Sequence, residues 1–194
     1  FLFGPREEGS LGLTLPQYGF AYGTIGIIML TIGGITGGVV AAKYGLKKVL
    51  WLMFATINCN HLLYVYLAYA RPDDFWQVLL CVGGEQLGYG FGFTAYMIYM
   101  LYIAGDGEHR TSHFAICTGI MALGMMLPGM LGGAVYNVCQ LPALASLVPA
   151  GAAVASHGYL LFFIVICLLF IPGAIAICFA PLDPEFGKKH KKKA

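Results

Sequence analysis

One carboxylate stands inside a long apolar run of this sequence. Glu85 is about eleven residues into the run that begins at Phe75, so a helix would carry it towards the middle of a bilayer. A carboxylate at that depth is costly and is by default a functional candidate, here as a group that takes and gives up a proton. Gln86 can share its polar contact. The alternative is a hydrogen-bonded structural role between helices.

Three aromatic residues follow the carboxylate on the same predicted helix. Tyr89, Phe93 and Tyr96 are separated by four and three residues, which places them in one stripe. Together with Gln86, they are the candidates to line a substrate cavity, where their rings can stack on sugar or nucleotide rings. Packing against lipid or neighbouring helices is the commoner role of such a stripe and stays open. The run GYGFG is not a nucleotide-binding fingerprint, because no strand precedes it.

Asn58, Asn60 and His61 form a second polar group, in the middle of another apolar run. Asn58 and His61 are three residues apart and can share a helical face, while Asn60 points elsewhere. We expect interhelical hydrogen bonding here, with proton relay through His61 as the alternative.

The composition indicates that the solvent of these helices is a bilayer. The chain is 59% hydrophobic and 10% charged, with a mean hydropathy of +0.77, whereas soluble domains carry about 25% charged residues. The six cysteines include no C-x-x-C pair, so we predict packing roles and neither a metal nor a cofactor. Four serines lie outside the apolar runs, and Glu85 and His61 are too few for a catalytic set. We therefore predict that the protein is not an enzyme.

Five apolar runs reach the length of about 20 residues that a spanning helix needs. The fold class predicted is all-α integral membrane, with helices at about 18–42, 49–70, 75–104, 114–138 and 158–180. Residues 1–17 are expected to be the end of a preceding span plus an outside loop, and 181–194 a basic tail. The run 139–157 is too broken by prolines to span, and either an interfacial helix or a plain loop fits it. Pro128 and Pro172 predict kinks.

Basic residues are concentrated on one predicted side of the membrane. That side carries nine of the eleven, and the other carries only Arg6 and Arg71. Because basic loops stay in the cytoplasm, the C-terminus is predicted to be cytoplasmic. The nine are Lys43, Lys47, Lys48, Arg110, Lys188, Lys189, Lys191, Lys192 and Lys193.

The turn between the first two runs reads Gly38-x-x-x-Ala42-Lys43-Tyr44-Gly45-Leu46-Lys47-Lys48. It resembles the major facilitator superfamily signature G-x-x-x-[DE]-[RK]-x-G-x-[RK]-[RK], although alanine replaces the acidic residue. Gly38 is expected to allow close helix packing, and Gly45 is expected to permit the sharp turn. Lys43, Lys47 and Lys48 are expected to anchor the turn at the inner surface. These five residues are the predicted gating turn. A generic basic cytoplasmic turn is the alternative.

The resemblance implies that the five helices are spans 8 to 12, most of one six-helix lobe, with the N-terminal lobe of the same protein absent. Residues 83–133, including Thr111-Ser112-His113-Phe114-Ala115 and the stretch from Gly129 to Gly133, look like the AmpG-type permeases. Those carriers import anhydromuropeptides with the proton gradient, and their relatives include acetyl-coenzyme A carriers.

The resemblance therefore implies a secondary transporter in the bacterial inner membrane, one that uses protons to import a large polar solute by alternating access. Lipid, protons, the solute and the missing lobe would be its partners, and nucleic acid would not. A carrier of another solute, such as acetyl-coenzyme A, and a non-transporting membrane subunit are the alternatives.

Overall fold

The chain folds into helices only, in the part that the structure describes. This computed structural model describes residues 1–148, 157–183 and 186. Five helical segments are long and apolar enough to cross a membrane, which confirms that part of the prediction. In chain order these first to fifth segments are Leu15–Tyr44, Leu46–Ala70, Phe75–Ala104, Arg110–Cys139 and His157–Cys178.

The first segment changes its winding along its length. It begins as α1 (Leu15–Gly19), widens to a π-helix over Phe20–Gly26, and continues as α2 (Ile27–Tyr44). Thr14 caps α1, because its hydroxyl accepts the Gln17 N–H at 3.4 Å. The wide turn marks Phe20–Gly26 as a stretch of interest, since π-turns inside helices often lie at functional sites.

Two of the other segments are interrupted and two are continuous. The second is broken at Asn60, and the fifth at Leu169. The latter break agrees with Pro172, whose ring would crowd the carbonyl four residues earlier. The helices are α3 (Leu46–Cys59) and α4 (His61–Ala70), α5 (Phe75–Ala104), α6 (Arg110–Cys139), and α7 (His157–Leu168) and α8 (Phe170–Cys178).

Glycines bring the first and third segments into backbone contact. A Cβ on Gly33 would overlap the carbonyl oxygen of Leu87, and one on Gly37 would lie 2.7 Å from that of Phe91. Gly90 on α5 approaches α2 in the same way. Close approach of this kind is how membrane helices gain packing without a hydrophobic driving force between them.

The opposite face of α5 packs against the second segment. A Cβ on Gly92 would lie 2.6 Å from the Ile57 Cβ, and one on Gly88 would overlap the Asn60 amide. Gly88 and Gly92 are four residues apart and share a face, while Gly90 lies between them and faces α2. The glycine-rich run is therefore a two-sided packing surface.

The first fourteen residues cover one end of the bundle. Leu2, Leu11 and Leu13 are buried in a cluster with residues of the second and third segments. Arg6 donates to Asp73 at 2.5 Å and to the Arg71 carbonyl at 2.9 Å, and Arg71 donates in return to the Arg6 carbonyl.

The turn at Gly45 lies at the other end, where Leu46 N–H donates to the Phe186 carbonyl at 3.3 Å. Of the run between α6 and α7, Pro142–Leu147 forms a 3₁₀ helix. Residues 149–156, and the predicted basic tail apart from 181–183 and 186, lie outside the described residues.

The fourth segment is the least covered. Cys139 is its only buried residue in the described structure. At Gly119, Gly124, Gly129 and Gly133, no described atom beyond the adjacent residues and the backbone of the same helix lies within 4 Å of the position that a Cβ would take. Its surface is open to lipid or to further protein.

Candidate functional site

Glu85 lies in a polar cluster where the first, second and third segments meet. Its Oε2 accepts from Gln86 Nε2 at 2.7 Å and from the Tyr64 hydroxyl at 3.5 Å. The Tyr64 hydroxyl also contacts the hydroxyl of Tyr22. Glu85 is half-buried, and the cluster gives its carboxylate partners that the bilayer interior cannot supply.

Asn60 connects the second and third segments beside this carboxylate. Its Nδ2 donates to the backbone carbonyl of Glu85 at 2.8 Å, and the residue is only 8% exposed. Gly88 leaves the space that its amide occupies. The interhelical bond predicted for this polar group exists, but it is made by Asn60.

Asn58 and His61 do not join the cluster. Asn58 donates to the Phe54 carbonyl of its own helix at 2.8 Å. In the described structure, the His61 side chain forms no hydrogen bond with Glu85. In the same described part, no group of three or more His, Cys, Asp or Glu comes together that could hold a metal ion.

Tyr22 and Tyr64 are members of the site that sequence reasoning missed. Tyr22 lies in the π-helical stretch, and Tyr64 stacks on Phe163 of the fifth segment, with ring centroids 5.3 Å apart. They precede Glu85 in the chain by 63 and 21 residues, so no local spacing links them to it. A tyrosine at membrane depth was the one available signal, since a buried hydroxyl usually finds a hydrogen-bond partner.

The predicted aromatic stripe lines a cavity. Tyr89, Phe93 and Tyr96 border a partly open space of about 760 Å³ between the second to fifth segments. The rings of Tyr89 and Phe93 stack with centroids 5.5 Å apart. The volume is in the range of small-molecule sites, about 300–1,000 Å³. Other lining residues include Phe54, Tyr99, Met121, Met125, Ile177 and Pro181.

Gln86 departs from the cavity prediction. It does not line this space, because its side chain turns towards Glu85 and packs near Gly26 of the first segment. Gln86 is therefore part of the polar cluster around Glu85. None of the described residues that line the cavity carries a charge.

The predicted gating turn has the expected shape, with one correction. Gly45 adopts φ +82°, a left-handed conformation that side chains rarely adopt, so it does permit the sharp turn. Gly38 was expected to pack closely, and this is wrong for the described structure: nothing lies within 4 Å of its Cβ position, whereas its neighbour Gly37 makes the contact. A one-residue difference turns the helix surface by about 100°.

The lysines of this turn are exposed. Lys43 lies 5.2 Å from the centroid of the Tyr44 ring. Lys43, Lys47 and Lys48 form no ion pair with the described residues, in agreement with Ala42 at the position where the signature is acidic. Their predicted gating role stays a prediction.

The carboxylate cluster and the cavity lie one above the other along α5. Glu85 is ten residues from Phe75 and nineteen from Ala104, whereas the cavity reaches Leu50 and Tyr99 near the Gly45 turn. Tyr89 lies one helical turn from Glu85 and connects them. The arrangement can hold a proton at Glu85 and bind a solute that offers ring or apolar faces.

Comparison with known proteins gives one distant relative. No family model and no solved structure matches the chain. An uncharacterized protein of Haemophilus influenzae (strain ATCC 51907 / DSM 11121 / KW20 / Rd) is 24% identical over 164 residues, covering 81% of this chain and 34% of the relative. The chain thus matches about a third of the length of that curated relative.

Proposed function

We propose that this chain forms most of the C-terminal lobe of a major facilitator transporter, one that resembles the AmpG-type permeases. It would import a large polar solute, such as an anhydromuropeptide, together with protons by alternating access. The observation that carries the proposal is a carboxylate within a long apolar helix, bonded to Gln86 and to Tyr64 of the second segment and one helical turn from an aromatic-lined cavity. We propose a carrier and not an enzyme.

Glu85 is the proposed proton site. Its partners are a phenol and an amide, both of which remain compatible with either state of the carboxyl group: they donate to a carboxylate, and their oxygens accept from a carboxylic acid. A fixed cation in their place would hold the group charged. The lack of such a cation in the described cluster supports reversible protonation during transport.

Tyr89, Phe93 and Tyr96 are the proposed contacts for the solute. Ring faces pack against the apolar faces of sugars, and phenol hydroxyls can bond to hydroxyl or amide groups. Charged groups of an anhydromuropeptide would need cations from elsewhere, because the described lining has none. In the proposal these come from the N-terminal lobe, and the uncovered α6 is a surface on which further protein can pack.

Uptake by the full-length protein in vesicles tests this function. We expect an imposed proton gradient to drive uptake of labelled anhydromuropeptide, and Glu85→Gln to abolish this uptake while exchange of labelled for unlabelled solute continues. Exchange requires no net proton movement, so it separates coupling from binding. Glu7→Gln is the matched control, because it makes the same change at an exposed residue of the Phe1–Thr14 loop.

The outcomes separate the parts of the proposal. Gradient-driven uptake that survives Glu85→Gln would overturn the proton role. Transport of acetyl-coenzyme A in place of anhydromuropeptide would change the solute and keep the carrier. Folded wild-type protein that moves neither solute would favour a non-transporting membrane subunit.

A further inference from the structure

A chain of hydroxyl groups leads from the first segment to the carboxylate. The Tyr22 hydroxyl contacts that of Tyr64, and the Tyr64 hydroxyl lies 3.5 Å from Glu85 Oε2. The three residues belong to three different segments. Tyr64 is the middle member, because its hydroxyl contacts both the Tyr22 hydroxyl and the Glu85 carboxyl group.

All three residues lie nearer to the same end of the bundle. Tyr22 is seven residues after Leu15, Tyr64 six before Ala70, and Glu85 ten after Phe75. At 1.5 Å per residue, Glu85 is about 15 Å from that end and about 29 Å from the other. This is the end covered by the Phe1–Thr14 loop, opposite the basic Gly45 turn.

At this end, the ring of Tyr18 packs against the ring of Tyr22. Its ring centroid is 5.0 Å from that of Tyr22, and the residue is 38% exposed. Tyr22 is thus one ring beneath an exposed residue. The wide π-helical turn that contains Tyr22 also reaches Gly26, which packs against the Gln86 side chain.

A phenol has a single proton to donate, so Tyr64 cannot donate to Tyr22 and to Glu85 at once. The cluster therefore has two ordered arrangements. In one, Tyr22 donates to Tyr64 and Tyr64 donates to the carboxylate. In the other, the carboxylic acid donates to Tyr64 and Tyr64 donates to Tyr22.

We propose that Tyr22 and Tyr64 form a hydroxyl relay that loads Glu85 with protons from the end of the bundle covered by the Phe1–Thr14 loop. This inference rests on the proposed proton role of Glu85 and adds the route and its direction. Tyr22 and Tyr64 act through Glu85 and are positioning residues for the solute step. They are not among the residues that line the described cavity.

The transfer balances without leaving a charge on a phenol. A proton from water binds the Tyr22 oxygen as Tyr22 passes its own proton to Tyr64 and Tyr64 passes its own to Glu85 Oε2. Three O–H bonds form, one each on Tyr22, Tyr64 and Glu85. Three O–H bonds break, one each on Tyr22, on Tyr64 and in the water species that donates the proton. The net result is one neutral carboxyl group and two neutral phenols in the reversed arrangement.

The surroundings of Glu85 supply few competing routes. Among the described residues, the titratable groups that face it from packed segments are Tyr64 and Tyr22, and its own helix contributes Tyr89 one turn away. The other hydrogen-bond partner of its side chain, Gln86, does not titrate. Removing either relay hydroxyl should therefore slow proton loading.

Infrared spectroscopy on the full-length protein in vesicles tests the relay without requiring transport. The carboxyl band of protonated Glu85 is assigned by its loss in Glu85→Gln, and its appearance is followed after an acid jump outside. We expect Tyr64→Phe and Tyr22→Phe each to slow loading at least tenfold. Both substitutions keep the ring, so the Tyr64 stack on Phe163 is retained.

Tyr66→Phe is the matched control. It removes a hydroxyl of the same α4 helix that donates to Gln77 at 3.3 Å, outside the relay, and should load at the wild-type rate. Wild-type rates in both relay variants would overturn the relay, and so would an equal delay in Tyr66→Phe. Failure of the transport function would appear separately, as an absence of solute movement in protein whose Glu85 band loads normally.

Discussion

A single amide joins the second and third segments next to the carboxylate. Asn60 donates to the Glu85 carbonyl, while Asn58, two residues earlier, donates to the Phe54 carbonyl of its own helix and bonds to no other segment in the described part of the chain. The two asparagines therefore form an internal comparison. Asn60 makes an interhelical hydrogen bond at the candidate site, and Asn58 has the same side chain without such a bond.

We expect Asn60→Ala to reduce the free energy of unfolding by about 1 kcal/mol, the size typical of interhelical hydrogen bonds in membranes. Asn58→Ala should change it by less than about 0.5 kcal/mol. Unfolding in mixed micelles by titration with a denaturing detergent measures both. Equal losses in the two variants would mean that the contact with Glu85 contributes nothing.

Sequence reasoning located Glu85 but not its partners. Chain position alone predicts a carboxylate at membrane depth, because helix rise and a typical bilayer thickness relate position in a run to depth. The hydroxyls of Tyr22 and Tyr64 reach it only once three helices have taken their rotations and crossing points. Apart from a few polar residues these segments are apolar around their circumference, so the sequence carries little information about how each helix is rotated.

Neighbouring glycines on α2 have different surroundings. A Cβ on Gly37 would lie 2.7 Å from the Phe91 carbonyl oxygen and 3.1 Å from Met53 Cε, whereas one on Gly38 would meet nothing within 4 Å. Methionine can move, but a helix carbonyl cannot without moving α5. The element that responds to a change at Gly37 is therefore the whole α2–α5 pair.

Gly37→Ala should destabilise the protein by about 1–3 kcal/mol, the usual cost of forcing an extra group into a packed interior. Gly38→Ala should be neutral, or stabilising by up to about 1 kcal/mol, because alanine is the better helix former. Titration with a denaturing detergent measures the free energy of unfolding of both variants. A loss in Gly38→Ala as large as in Gly37→Ala would indicate that other protein packs on Gly38.

The five helical segments were predictable because each is a long apolar run bounded by charge, proline or glycine. The turn at Gly45 was predictable too, because a glycine flanked by lysines between two apolar runs favours a sharp reversal of the chain. The wide turn at Phe20–Gly26 was not. Nothing in FAYGTIG distinguishes a π-helix from an α-helix locally, and Ala21 and Gly26 are the residues of this stretch that become buried in the fold.

At the scale of the whole molecule, the two ends of the bundle differ in charge and covering. The Gly45 turn carries three exposed lysines. At the other end, Arg6 and Arg71 each donate a hydrogen bond to the backbone carbonyl of the other. Because basic loops remain in the cytoplasm, the end with the lysines should face inward. The relay would then open to the outside, where a proton gradient supplies protons.

Reporter fusions test this orientation. We expect green fluorescent protein joined after Lys48 to fluoresce, because it matures inside, and alkaline phosphatase joined after Asp73 to be active, because it folds outside. The reciprocal fusions should be inactive and serve as controls. The opposite pattern would reverse the bundle, and the relay would then load Glu85 from the cytoplasm.

The crowding at Gly33, Gly90 and Gly92 also limits how this gene can drift over generations. Every replacement of a glycine by another residue introduces a side chain, and here even a methyl group would overlap atoms of the adjoining segment. Apolar residues between these glycines can exchange for one another at little cost. Diverging lineages should therefore retain the spacing of these glycines after most other identities have been lost, which makes that spacing a better mark of descent than overall similarity.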